Sequence, residues 1–77
     1  MSDHDVIRMV NQIAQFFAPY PETDAVEGIH DHMVKFWPPA MRRELAALVH
    51  GSANTPEALH PLALQAAQRL DAPPPLP

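Results

Sequence analysis

A chain of 77 residues forms one domain and, at that size, buries only roughly 60% of the surface its unfolded form exposes, so its stability depends on close helix packing or on a partner chain. The absence of cysteine excludes disulfides and thiolate-bound metal, and a net charge of −4 with only five Lys and Arg argues against nucleic acid or an anionic membrane as the main target. Apolar residues make up 47% of the sequence and charged ones 18%, which leaves apolar surface over for contact with another protein. No apolar run approaches a membrane span, and the start, Met1-Ser2-Asp3-His4-Asp5, is acidic, unlike a signal or transit peptide; a cytoplasmic protein is expected.

The first helix is expected to begin at Ser2, whose hydroxyl can cap while Asp5 completes a capping-box pattern at the positive end of the helix dipole. Val6, Met9, Val10, Ile13, Phe16 and Phe17 follow the spacing of one helical face, with Ile7 and Ala14 widening it. Arg8, Asn11, Gln12 and Gln15 occupy the other side. Pro19 and Pro21 stop the helix near Ala18, and Phe16, Phe17 and Tyr20 are expected to pack as core.

The second helix starts among Glu22, Thr23 and Asp24, which load its first turn with acceptors and negative charge. Val26, Ile29, Met33, Phe36 and Trp37 fall within one arc, and Asp24, Glu27, Asp31 and Lys35 lie opposite, where Asp31 and Lys35 can pair at i, i+4. His30 lands inside the apolar arc and His32 at its far edge. Two residues apart on a helix means side chains roughly 160° apart, so these histidines cannot share one metal ion, and no HxxxH spacing exists; a ligand set would need His4, His50 or His60 from elsewhere. A histidine hydrogen-bonded at a helix contact or interface is the simpler expectation.

A Pro-Pro pair follows Trp37. A residue before proline is pushed out of the helical region, so the second helix ends near Phe36 or Trp37, and Pro39 suits the first turn of a third helix running toward His50. Met41, Leu45, Leu48 and Val49 share one side of it, with Gly51 placed as a C-terminal cap. Arg42 and Arg43 oppose the dipole in its first turn. Two readings stand: they face a partner, or they are solvent-exposed or paired with Glu22, Glu27 or Glu44.

Residues 51–58 read as a loop. Either a short turn covers Pro56 to Leu59 and the last helix begins with Pro61, or one helix is kinked; the first places Leu59 and Leu64 at the two positions of a hydrophobic staple. Leu59, Leu62, Ala63, Ala66, Ala67 and Leu70 form an apolar face of mostly small residues that permits close approach. The fold expected is all-α, a small bundle of about four helices over residues 1–71, with residues 72–77 a disordered or extended Pro-rich tail. Catalytic parts are scarce: there is no Gly-rich phosphate loop, no Cys nucleophile, and no Ser in a strand-to-helix elbow.

The strings Arg8-Met9-Val10-Asn11-Gln12-Ile13-Ala14 with Phe16-Phe17, then Ala25-Val26, Gly28-Ile29, Asp31-His32 and Lys35-Phe36-Trp37-x-Pro-x-Met41-Arg42 closely resemble the delta subunit of the soluble, NAD-dependent, molybdenum-containing formate dehydrogenase. The resemblance covers nearly the whole chain up to Leu70. It departs at Pro38, where the family often has an acidic residue, at His60, which replaces a usual acidic cap, and in the added tail. It implies a non-catalytic accessory subunit with no cofactor of its own, docking on the large alpha subunit. Bis-molybdopterin guanine dinucleotide, iron–sulfur clusters, FMN and the NAD site are then implied in other subunits. Beside that resemblance, an interface is expected on Arg8, Asn11, Gln12, His32, Lys35, Trp37, Met41 and Arg42, polar groups set around a large aromatic. A stand-alone helical module that binds DNA, with the second and third helices as a helix-turn-helix, or that serves another protein interaction, is the alternative.

Overall fold

Proline punctuation sets the architecture. The computed structural model describes residues 3–50 and 58–70, which form α1 (Asp3–Phe17), α2 (Glu22–Phe36), α3 (Pro39–His50) and α4 (Pro61–Gln68), with no strand among them. The all-α reading with four helices therefore holds. The Ser2 cap, the Gly51 cap, most of the loop after α3 and the Pro-rich tail lie outside the described residues.

Each boundary has a local cause. Beyond α1, the Tyr20 N–H donates to the Phe17 carbonyl at 3.0 Å and turns the chain ahead of Pro21. Pro21 is the N-cap of α2 with extended backbone; it offers no side-chain cap, and its carbonyl accepts from the Ala25 N–H at 2.8 Å. Glu22 and Asp24 sit in the first turn and Lys35 in the last, each matched to the dipole. Trp37, ahead of Pro38, is extended at φ −86° and ψ 138°. Pro39 opens α3, and the Pro38 carbonyl takes the N–H groups of Met41 and Arg42 at 3.0 and 3.2 Å.

At α4 the unkinked alternative is the one found: His60 is the N-cap, its Nδ1 accepting the Leu62 N–H at 3.0 Å, and Pro61 is the first helical residue. The histidine side chain thus does the work of an N-cap. Leu59 is buried and Leu64 half-buried against the same core, as staple positions require.

Packing follows the stripes. Val6, Val10 and Ala14 of α1, Ala25, Val26, Ile29 and Met33 of α2, and Leu45 and Ala46 of α3 are buried, with Trp37, Leu59 and Leu70 closing the ends. Fully burying side chains such as Ile29, Met33 and Leu45 stabilises by about 1.5–3 kcal/mol each. An isolated helix of eight residues is unstable in water, so α4 exists by packing: Ala63, Ala66 and Ala67 are buried and let it lie close on α2, its most extensive partner.

Gly28 serves the same end between α1 and α2. A Cβ there would fall 2.5–2.9 Å from three ring atoms of Phe17, so glycine is what allows that ring to lie against α2.

Three core expectations are corrected. Of the group Phe16, Phe17 and Tyr20, only Phe17 packs against the core; Phe16 is 69% exposed and Tyr20 53%. Val6, Val10 and Ala14 centre the buried face of α1, and Phe16 lies roughly 120° around the helix from that centre. Tyr20 follows the helix end and meets only Phe17 among the rings, at 5.9 Å. Phe36 is 71% exposed: Trp37 takes the buried corner and leaves the preceding ring outside, 4.9 Å from the ring of His32.

Candidate protein-binding site

The exposed rings gather on one side. A groove of about 490 Å³ runs between α1 and α2, lined by Met9, Gln12, Ile13, Phe16 and Phe17 from α1 and by His32 and Trp37 from α2 and its corner. Phe16 meets Phe17 edge-on at 5.1 Å, and Phe36 continues the aromatic surface through His32. The helical spacing that buries Val10 and Ala14 necessarily swings Met9, Ile13 and Phe16 to the flank of α1, where they form one wall. Large exposed rings beside a mostly apolar groove, on so small a protein, are the arrangement of a contact surface.

The residues expected at an interface divide into groups. Gln12, His32 and Trp37 line this one groove. Trp37 is only 7% exposed, so it is a core residue contributing what little of its ring reaches the surface; the projecting rings are Phe16 and Phe36, whose spacing places them among core residues. Asn11 is engaged internally. Its Nδ2 donates to the Ala58 carbonyl at 2.6 Å and its Oδ1 accepts the His60 N–H at 2.8 Å, tying α1 to the entry of α4. Met41 is half-buried against the core. Arg8 pairs with Asp5 at 3.3 Å and Lys35 with Asp31 at 2.9 Å, both on exposed surface where such pairs contribute little.

Arg42 lies elsewhere. With His30, Arg43 and Arg69 it lines a second cleft of about 470 Å³, whose remaining wall is Val34, Pro39 and Leu70. Among the described residues Arg42 and Arg43 have no ion pair with Glu22, Glu27 or Glu44, so the pairing alternative is not what occurs. Sequence spacing could not have placed Arg69 beside them, because the approach depends on how α4 crosses α2.

No group of three or more His, Asp or Glu among the described residues could hold a metal ion, and His30 and His32 open into different clefts. The sequence has no cysteine, so it offers no thiolate to an iron–sulfur cluster. None of the described helices is long and apolar enough to cross a membrane.

Fold and groove together define a small all-α protein with an apolar groove between its first two helices. The chain belongs to the family of the NADH-dependent formate dehydrogenase delta subunit FdsD, whose family model matches residues 5–67. No curated protein and no solved structure matches it. As a member of that family it is a formate dehydrogenase subunit, with partner subunits in the complex.

Proposed function

We propose that the chain is a non-catalytic accessory subunit that docks on the large molybdenum-containing alpha subunit and supports assembly or stability of the formate dehydrogenase complex. Formate oxidation to carbon dioxide, with electrons passed to NAD, is on this reading the work of the other subunits. They would carry bis-molybdopterin guanine dinucleotide, iron–sulfur clusters, FMN and the NAD site. The observation that carries the reading is the groove of Gln12, Phe16, His32 and Trp37 with the projecting ring of Phe36, on a chain of this family. Aromatic side chains, Phe among them, are enriched at protein interfaces and gain free energy once a partner removes them from water. The cytoplasm is the compartment we assign to it.

Co-expression of the other formate dehydrogenase subunits with and without this chain tests the proposal. The chain is expected to co-elute with the alpha subunit through size exclusion, and its omission to lower the yield or thermal stability of the complex. Formate turnover by the purified chain alone, or complete absence of co-elution, overturns it.

A further inference from the structure

Three of the five Lys and Arg residues, Arg42, Arg43 and Arg69, converge on one cleft in a chain whose net charge is −4. Gathering like charges is unfavourable unless something of opposite sign compensates, and among the described residues no carboxylate forms an ion pair with any of the three. The ion pairs among the described residues are Arg8 with Asp5 and Lys35 with Asp31, neither in the cleft. Arg42 carries the stronger signal. Its Nε is buried and has no hydrogen-bond partner among the described residues, and a desolvated guanidinium donor left unsatisfied costs free energy. Pro39 on the cleft wall belongs to the first turn of α3, so the positive end of that helix dipole faces the same space. Arg69 also borders Asp24, Glu27 and Asp31 of α2 on its other side, without pairing to any of them within 4 Å.

The other wall says what kind of anion fits. Val34, 44% exposed, lines the cleft together with Pro39 and Leu70 beside the arginines, so the cleft is part cationic and part apolar. A small inorganic anion would satisfy the guanidinium groups and leave the apolar wall wet. A carboxylate next to an apolar side chain on a polypeptide satisfies both, with Arg42 and Arg43 offering planar forks suited to carboxylate oxygens. We propose that this cleft is a second docking point, receiving an acidic and apolar segment of a partner subunit of the formate dehydrogenase complex. The inference rests on the accessory-subunit reading and adds to it a site, a charge and a chemistry for the contact.

The test uses the co-expressed complex and follows retention of the chain across a salt series. With the wild-type chain, retention is expected to weaken as salt rises, since partly exposed charge contacts are screened. Arg43→Glu and the Arg42→Glu/Arg43→Glu pair are expected to weaken it by about tenfold or more at low salt. Arg42→Lys, which keeps the charge and loses the fork, is expected to fall between. Helicity by circular dichroism confirms that each variant is folded; Arg43 is exposed, so Arg43→Glu keeps the test decisive if Arg42→Glu unfolds the chain. With Arg43→Lys, carbodiimide coupling is expected to join the introduced amine to an Asp or Glu of a partner subunit, identified by mass spectrometry.

Wild-type retention with undiminished retention of folded Arg43→Glu and Arg42→Glu/Arg43→Glu chains overturns this inference alone. Failure of the wild-type chain to co-elute overturns the accessory-subunit reading, and this one with it. Coupling of the position-43 amine only to a second copy of this chain, thermal stabilisation by inorganic phosphate without any effect of the variants on retention, or salt-sensitive binding of duplex DNA through these arginines would each assign the cleft to a different occupant and overturn it.

Discussion

Asn11 joins two parts of the chain that no helix periodicity connects. Its amide satisfies the Ala58 carbonyl and the His60 N–H at once, donating from Nδ2 and accepting at Oδ1, which a side chain with only a donor or only an acceptor cannot do. Asn11→Ala is expected to lower stability by about 1–2 kcal/mol in urea titration, from two lost hydrogen bonds, one to a partly buried N–H. Asn11→Asp keeps the acceptor and sets a carboxylate against a carbonyl, so it should fall at least as far. Gly28 makes a sharper case, because two effects of opposite sign meet there. Alanine is the better helix former by about 1 kcal/mol, yet its Cβ would overlap the Phe17 ring, and overpacking costs roughly 1–3 kcal/mol. Gly28→Ala is expected to destabilise the wild-type chain and to stabilise a chain already carrying Phe17→Ala. If the sign does not change between the two backgrounds, the ring is not what requires glycine.

Most of the helix boundaries are legible in the sequence because proline marks them. Pro19 and Pro21, Pro38 and Pro39, and Pro61 each stand where a helix stops or starts, and Trp37 is extended for the reason that any residue before proline is. What a stripe cannot show is which edge of it a neighbour covers. Phe16 and Phe36 have the spacing of core residues and yet lie outside, because α2 meets the Val10 side of α1 and the chain turns into α3 immediately after Phe36. Of the eight residues expected at an interface, three, Gln12, His32 and Trp37, line one groove; Asn11 and Arg42 lie elsewhere, through approaches set by α4. At this scale the cap of α4 is directly testable. His60→Ala removes the acceptor for the Leu62 N–H and is expected to cost about 1 kcal/mol, while His60→Asp restores a good cap and should recover it. On a chain of this length, 1 kcal/mol corresponds to a shift of about 4–8 °C in the midpoint of thermal unfolding, well within calorimetric resolution.

For the molecule as a whole, folding and binding draw on different aromatic residues. Trp37 is buried, so Trp37→Ala is expected to cost about 3–5 kcal/mol and to abolish folding of so small a domain, with loss of association following from that. Phe16→Ser and Phe36→Ser alter projecting rings; each should leave the unfolding midpoint nearly unchanged while lowering retention on the formate dehydrogenase complex. Equal loss of stability and retention in all three would mean that the rings serve the fold and not the contact. The Asn11 bonds span 47 and 49 residues, and they hold the entry of a helix too short to persist unaided. Until that helix has docked, the face of the other three that receives Ala63, Ala66 and Ala67 lies open to water. A fragment cut ahead of Ala58 is therefore expected to lose cooperative unfolding or to self-associate, which circular dichroism and light scattering would register.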